Sequence, residues 1–268
     1  MPEFAIDCAD DPRLDPFRDL KRSTPESVTK VIAEGEKLVL RLLESGCRTE
    51  SIVCTEAMRD RLRDRFPEGI PVFVAPTPII SRLIGFQFHR GILASGLRPP
   101  SPSLASLWEG RSGQQGSLIV ACPEIRDPEN LGTIIRTAAA FGAAGVITGN
   151  RGTDPFSRRV LRTSMGMVLR LPIVQTDDWS SALSTIHDAD FESYAAVLQP
   201  DAEPLNTLKP SCRSALFLGN EDSGLSDELS RACRRRVTLP MASGVDSLNV
   251  AVAAGILLHH FAQAATPD

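Results

Sequence analysis

What this sequence lacks bounds what it can do. No apolar run reaches the roughly 18 residues of a membrane-spanning helix, so no membrane partner is expected. The amino terminus is acidic rather than basic and apolar, so no secretory signal is expected and the location read from it is cytoplasmic. The cysteines Cys8, Cys47, Cys54, Cys122, Cys212 and Cys233 include no C-x-x-C pair and no histidine at zinc spacing. They read as reduced, mostly buried thiols, and no metal site is expected. Neither G-x-G-x-x-G nor G-x-x-x-x-G-K-[ST] occurs, which leaves a dinucleotide site or a P-loop without support. Excess positive charge is missing too. With a formal net charge of -4 and a pI near 5.7, a nucleic-acid partner is left only a local basic patch. No internal repeat is found.

The 268 residues that are present suit one large domain or two modest ones. Residues 1–27 are rich in Asp, Pro and Arg, and Pro12, Pro16 and Pro25 predict an arm without a regular element. Val31, Ile32, Leu38, Val39, Leu42 and Leu43 predict a helix, interrupted by Gly35 and ended near Gly46. Short strands are expected at Ser51–Cys54, Val72–Val74 and Gly91–Ala94, with helices over Met58–Phe66 and Ile79–Ile84. Arg59, Arg61, Arg63 and Arg65 alternate with acids, as on a solvated helix face. Strands alternating with helices make residues 28–99 a small α/β domain. The breaker-rich stretches Pro99–Ser103 and Arg111–Gly116 place a linker over residues 100–116.

Residues 117–268 alternate more regularly. Strands are expected at Ser117–Cys122, Gly145–Thr148, Leu169–Val174, Tyr194–Leu198, Ala215–Leu218 and Arg236–Leu239. Helices are expected after Asn130, over Phe156–Met165 and Trp179–His187, and after Ser226 and Ser247. This predicts a parallel sheet flanked by helices, with any ligand beyond the carboxyl ends of its strands.

Three segments lie in such places. In residues 127–147, Pro128 and Asn130 mark a helix start, and Asn130 and Arg136 either cap and solvate that helix or converge on a ligand at its open end. In residues 215–229 a strand runs through Leu218 into Gly219, where a bare backbone lets a ligand approach, then into a turn bearing Asn220 and Glu221. In residues 237–261 a strand stops at Pro240, a small-residue loop follows, and Asp246 or Ser247 is the expected cap of an apolar helix.

Together these segments resemble the SpoU-type branch of the SPOUT RNA methyltransferases, whose motifs are N-x-G-x-x-x-R-x-A, G-N-E-x-x-G-L-S and I-P-M-x-x-x-x-x-S-L-N-V. They stand here as Asn130-Leu131-Gly132 with Arg136, Gly219-Asn220-Glu221 with Gly224-Leu225-Ser226, and Leu239-Pro240-Met241 with Ser247-Leu248-Asn249-Val250. The resemblance is strong over residues 117–262 and looser before them, where Glu34-Gly35 and His89–Ala94 are similar to the family's small RNA-binding domain. There, His89-Arg90 replaces a polar Pro-Gln.

The resemblance implies a mostly parallel α/β sheet with a carboxyl-terminal trefoil knot, preceded by a small α/β RNA-binding domain. It implies a homodimer whose interface lies near the first motif's helix and the last helix. The implied activity is transfer of a methyl group from S-adenosylmethionine to a ribose 2'-hydroxyl of ribosomal or transfer RNA. Carried over residue by residue, Leu218, Gly219, Leu239, Pro240, Met241, Ser247 and Leu248 hold the cofactor. Arg136, Asn130, Glu221, Ser247 and Asn249 are the expected catalytic residues, with Asn130 orienting Arg136 or the ribose, Glu221 positioning the arginine or the substrate, and Ser247 and Asn249 holding the cofactor end and the hydroxyl. Chemistry independently favours Arg136 as decisive, because a guanidinium beside the 2'-oxygen stabilises developing alkoxide. A general-base role is the stronger claim, since arginine stays protonated.

Two basic clusters are candidate phosphate contacts, or else solvated or acid-paired faces: Arg158, Arg159, Arg162 and Arg170, and Arg231, Arg234, Arg235 and Arg236. The competing reading from another class is a catalytically silent RNA-binding or assembly protein with the same fold.

Overall fold

A computed structural model describes residues 2–20, 29–109 and 117–265, without the Ala265 side chain. The breaker-rich stretch Arg111–Gly116 and residues 21–27 of the expected arm lie outside the described residues. The chain divides into two units, Met1–Pro100 with Phe156–Arg170, and Ser101–Pro155 with Leu171–Asp268.

The first unit carries β1 (Glu3–Ala5), β2 (Lys30–Glu34), α1 (Glu36–Leu43), β3 (Thr49–Cys54), α2 (Glu56–Leu62), β4 (Val72–Val74), α3 (Thr77–Ile84) and β5 (Ile92–Leu97). The sheet order is β1-β4-β3-β5-β2. β1 and β3 run parallel to β4, while β5 is antiparallel to both β3 and β2.

Two expectations fail here. The described part of the amino-terminal segment carries regular elements where none was expected. Glu3–Ala5 adds an edge strand, Pro12–Phe17 forms a 3-10 turn, and Leu14 and Phe17 are fully buried in a cluster with Val53, Phe73 and Ile80. Asp11 starts that turn by accepting from Arg13 N, and proline is tolerated in a first helical turn because its missing N–H would have no partner there. The second failure is the helix expected from Val31. Val31 and Ala33 are buried on one face of β2, a period of two rather than 3.6. Gly35, at φ +90°, separates that strand from α1.

The second unit carries β6 (Ser117–Cys122), α4 (Pro128–Ala140) and β7 (Gly145–Thr148). The chain then leaves it through α5 (Arg158–Thr163), which belongs to the first unit and packs on β2. It resumes with β8 (Ile173–Gln175), α6 (Trp179–Asp188), β9 (Glu192–Ala196), β10 (Glu203–Pro204), β11 (Arg213–Phe217), α7 (Asp227–Ala232), β12 (Arg235–Thr238) and α8 (Val250–Ala265). The sequence reading missed β10 and began β8 at Leu169, which lies in a 3-10 turn.

All seven strands of this sheet are parallel, in the order β10-β12-β9-β11-β6-β7-β8. Every residue of β6 is buried, as expected of a strand covered on both faces. Ile119 and Ala121 join the core with Leu183, Ile186, Phe217 and Leu229, and the alternating residues face the other side. Among the described residues no helix is long and apolar enough to cross a membrane.

Candidate active site

The carboxyl ends of β9, β11 and β12, with the segment leading into α8, surround a cavity of about 590 Å³. Leu218, Gly219, Leu239, Met241, Ser247 and Leu248, all expected from sequence, line it, as do Glu221 and Asn249. Pro240 is not among the lining residues. The sequence reading missed Val197, Leu198 and Gln199, which line the same space. It ran β9 on through Leu198, whereas the strand ends at Ala196 and leaves Leu198 61% exposed. The rule that ligands gather just beyond strand ends would have found them with the boundary set correctly.

Gly219 answers to its own loop as well: a methyl group there would strike the backbone of Gly224 and Leu225, while its backbone lines the cavity. Asn220 and Gly224 exchange backbone hydrogen bonds at 2.9 and 3.0 Å, with Gly224 at φ +69°. Buried Asn220 fixes the turn: its Nδ2 donates to Glu124 O at 2.8 Å, and its Oδ1 accepts from Asp222 N at 2.9 Å and Ser223 N at 3.2 Å. Such a turn holds the next side chain, Glu221, in one place.

Glu221 is one corner of a triangle built from distant parts of the chain. Asn130 Nδ2 donates to Glu221 Oε1 at 2.9 Å, and Asn249 Nδ2 donates to Asn130 Oδ1 at 3.0 Å. The carboxylate also accepts from the backbone N–H groups of Arg126 and Asp127, each at 3.3 Å. Capping explains why the amides are available. Asp127, not Asn130, caps α4 by accepting from Glu129 N at 2.6 Å, which frees the Asn130 side chain. Asn249, not Asp246 or Ser247, caps α8, its Oδ1 accepting from Ala251 N at 2.9 Å and Val252 N at 3.3 Å. One end of the Asn249 amide fixes the helix and the other fixes Asn130.

Arg136 does not join them within one chain. It lies about 9 Å of helix rise beyond Asn130, is exposed, lines no part of the cavity and makes no hydrogen bond or ion pair with a described residue. The expected convergence of Asn130 and Arg136 at the open end of α4 is therefore absent from the single chain.

The basic clusters resolve unequally. Arg236 pairs with Asp201 at 2.8 Å, Arg235 with Glu203, Arg231 with Asp227 at 3.6 Å, and Arg234 donates to Phe191 O at 3.2 Å. In the other cluster Arg158 pairs with Glu34 and Arg170 with Glu44, at 2.8 and 2.7 Å, and Arg159 has a partner as well. Arg162 has none among the described residues.

The cavity's chemistry limits its ligand. Glu221, Asp222, Asp227 and Asp246 line it, and no lysine or arginine does. A nucleotide phosphate would meet four acids and no cation there, while a phosphate-free adenosyl group carrying positive charge fits both the acids and the apolar wall of Leu218, Leu239 and Leu257. Away from it, burial pushes the Cys54, Cys122 and Cys233 thiols up to about 12, which keeps them unreactive. His187 Nε2 lies 2.7 Å from Ser193 Oγ, and burial, then the charge of Arg234, hold its pKa below the usual histidine value.

Residues 117–259 match the model of the SpoU rRNA Methylase family. Over 93% of this chain and 88% of its relative, the sequence is 35% identical to an uncharacterised tRNA/rRNA methyltransferase of Mycobacterium bovis. The crystal structure of an AdoMet-bound rRNA methyltransferase from Sinorhizobium meliloti is 29% identical, with a TM-score of 0.82 over 97% of this chain and 98% of that one. An RNA 2'-O ribose methyltransferase, 23% identical over 98% of both chains, shares the fold with a TM-score of 0.76.

Proposed function

The chain belongs to the SpoU rRNA methylase family, and we propose that it transfers a methyl group from S-adenosylmethionine to a ribose 2'-hydroxyl of ribosomal or transfer RNA. The observation that carries this reading is the Asn130–Glu221–Asn249 triangle at a phosphate-excluding cavity. Bound in that cavity, S-adenosylmethionine supplies an electrophilic methyl on a sulfonium. The chain's own residues must then bring one hydroxyl into line and bear the charge it acquires. Leu218, Leu239 and Leu248 exclude water around the adenosyl group. Glu221, held by two backbone N–H groups and Asn130, is the fixed acceptor for a ribose hydroxyl. Ser247 and Asn249 orient it from the α8 side.

Arg136 supplies the positive charge, and in this reading it comes from a second copy. α4 packs beside α8, whose Val252 and Ile256 are 53% and 44% exposed. That apolar surface next to an unpartnered arginine is what a homodimer would cover. A guanidinium stays protonated, so its role here is electrostatic. The family's trefoil knot, formed in the carboxyl-terminal part of the chain, belongs to the same reading.

Incubating the protein with methyl-labelled S-adenosylmethionine and protein-free RNA tests it. Label in dinucleotides resistant to alkali is expected, because a 2'-O-methyl group blocks alkaline cleavage. Label on a base refutes the ribose assignment. Binding of cofactor and RNA without transfer to any RNA supports the catalytically silent alternative.

A further inference from the structure

Glu221 accepts N–H groups from two successive peptides, and one residue outside all three motifs holds both of them. The Ile125–Arg126 peptide donates through Arg126 N to Glu221 Oε2, and the Arg126–Asp127 peptide donates through Asp127 N to Oε1, each at 3.3 Å. On their carbonyl sides the same two peptides meet Thr153. Thr153 N donates to Ile125 O at 2.8 Å, and Thr153 Oγ1 donates to Arg126 O. A trans peptide is rigid and planar, with its N–H and C=O pointing opposite ways. A grip on the two carbonyls therefore aims the two N–H groups at the carboxylate. At 3.3 Å those bonds are longer than the usual range of about 2.7–3.2 Å, so a small rotation of either peptide would break them.

The connection that carries Thr153 out of β7 is built to lie against this segment. A methyl group on Gly149 would come within 2.1 Å of Pro123 O, and one on Gly152 within 2.8 Å of Ile125 O, so backbone meets backbone at both places. Gly149 N donates to Cys122 O at 3.3 Å, and Arg151 pairs with Glu124 at 3.1 Å. Asn150 ties the connection in turn to Asp177, through its N at 3.1 Å and its Nδ2 at 2.6 Å. From the other side Asn220 Nδ2 holds Glu124 O at 2.8 Å. Residues 123–127 are thus clamped between the connection and the turn that carries Glu221, and all of these residues belong to the second unit.

We propose that Thr153 is a positioning residue for methyl transfer, acting through these two peptides to hold the Glu221 carboxylate where the ribose hydroxyl must meet it. This rests on the role given to Glu221 above and adds the residue that sets its position. The bond from Thr153 N is open to any residue but proline, whereas the second bond needs a hydroxyl here. A carbonyl that accepts a hydrogen bond also polarises its own peptide, which strengthens the N–H donating on the far side. Thr153 does not line the cofactor cavity, so its effect on that ligand is not direct.

The test is made in the full chain with Thr153→Val, which keeps the shape and the backbone bond and removes only the bond to Arg126 O. The kcat for labelled-methyl transfer to protein-free RNA should fall on the order of ten-fold, the scale of one hydrogen bond. KM for RNA and S-adenosylmethionine affinity should stay at the wild-type level. Thr153→Ser, which keeps the hydroxyl, should restore kcat. Thr163→Val, which removes a hydroxyl bond to the Arg159 carbonyl in α5 at 3.0 Å, should leave kcat alone. In a Glu221→Ala background, Thr153→Val should add little further loss of the residual transfer, because residues that act as one unit are not additive. If the valine variant does not fold, Thr153→Ala repeats the comparison. A lower Tm with wild-type kcat in Thr153→Val makes Thr153 a loop anchor only and overturns the proposal. The same fold-loss in both backgrounds overturns it too, since Thr153 then acts independently of Glu221. Full turnover in Glu221→Ala instead removes the role of Glu221, and this proposal with it. A wild type that transfers no methyl to RNA removes the enzyme reading itself and both roles together.

Discussion

The Asn249 side chain caps α8 with its oxygen and holds Asn130 with its nitrogen, and the two roles can be separated. Replacing it with alanine removes the cap of α8, worth about 1 kcal/mol, and the bond to Asn130, worth about 0.5–1 kcal/mol at an exposed position. The sum, about 1.5–2 kcal/mol, corresponds to a fall of roughly 3–8 °C in Tm for a protein of this size. Aspartate caps as well as asparagine, so Asn249→Asp should lose only the Asn130 bond, about 0.5–1 kcal/mol, or roughly 1–4 °C in Tm. It no longer donates to Asn130, however, and it sets a carboxylate against an amide oxygen close to Glu221. Methyl transfer to RNA should then fall about a hundred-fold, the scale of a misplacement of about 1 Å at a reacting centre. Circular dichroism melts and a labelled-methyl assay, run on both variants, read the two effects independently. An aspartate variant that melts normally and transfers at the wild-type rate refutes the positioning role of the triangle. An alanine variant with an unaltered melt refutes the cap.

Arg136→Ala should abolish transfer while calorimetry finds S-adenosylmethionine affinity nearly unchanged, because the side chain does not line that cavity; undiminished turnover would remove arginine from the mechanism. Mixing Arg136→Ala with a cofactor-site variant should restore part of the activity if the arginine is supplied across a dimer, and no restoration would place it in the same chain. Gly219→Ala drives a methyl into the backbone of Gly224 and Leu225, so cofactor affinity should drop by at least ten-fold, an overpacking effect of about 1–3 kcal/mol; normal affinity would mean the loop yields freely. Burial holds the folded pKa of His187 below its ordinary 6.5, so its neutral form is favoured in the fold and the unfolded chain takes up the proton first. The stability this gives is full above pH 6.5 and is lost as pH falls through the lower folded value, so the urea midpoint should decline less on acidification in His187→Gln than in the wild type. Equal declines would refute that linkage.

The parallel sheet was legible because β6, β7 and β11 are short buried runs bounded by breakers. The cavity was legible because two of the three motifs, at Leu218–Glu221 and Leu239–Asn249, fall just beyond strand ends. Strand order was not, since β9 and β12 become neighbours only through pairings that no local pattern encodes. Val31 and Ile32 were misread because they are adjacent apolar residues before a helix, and only Gly35 at positive φ ends the strand between them. The caps were misassigned for a related reason. Ser247, Asp246 and Asn130 are all good capping residues, and choosing Asn249 and Asp127 requires knowing where the first turn begins. The arginines of β12 fitted phosphate contacts and an acid-paired face equally well in sequence, and the choice needed Glu203 and Asp201, which come alongside them from a distant part of the chain.

The excursion of residues 156–170 out of the second unit bears on how the molecule is made. Val160 and Leu161 complete the interior of a unit whose other residues are all synthesised before position 101. On the ribosome, that earlier unit waits for its last piece until residues 101–155 of the later one have been translated. Cutting the chain near residue 100 would accordingly yield no intact half. One fragment would lack a helix, and the other would carry that helix with its apolar side bare to water.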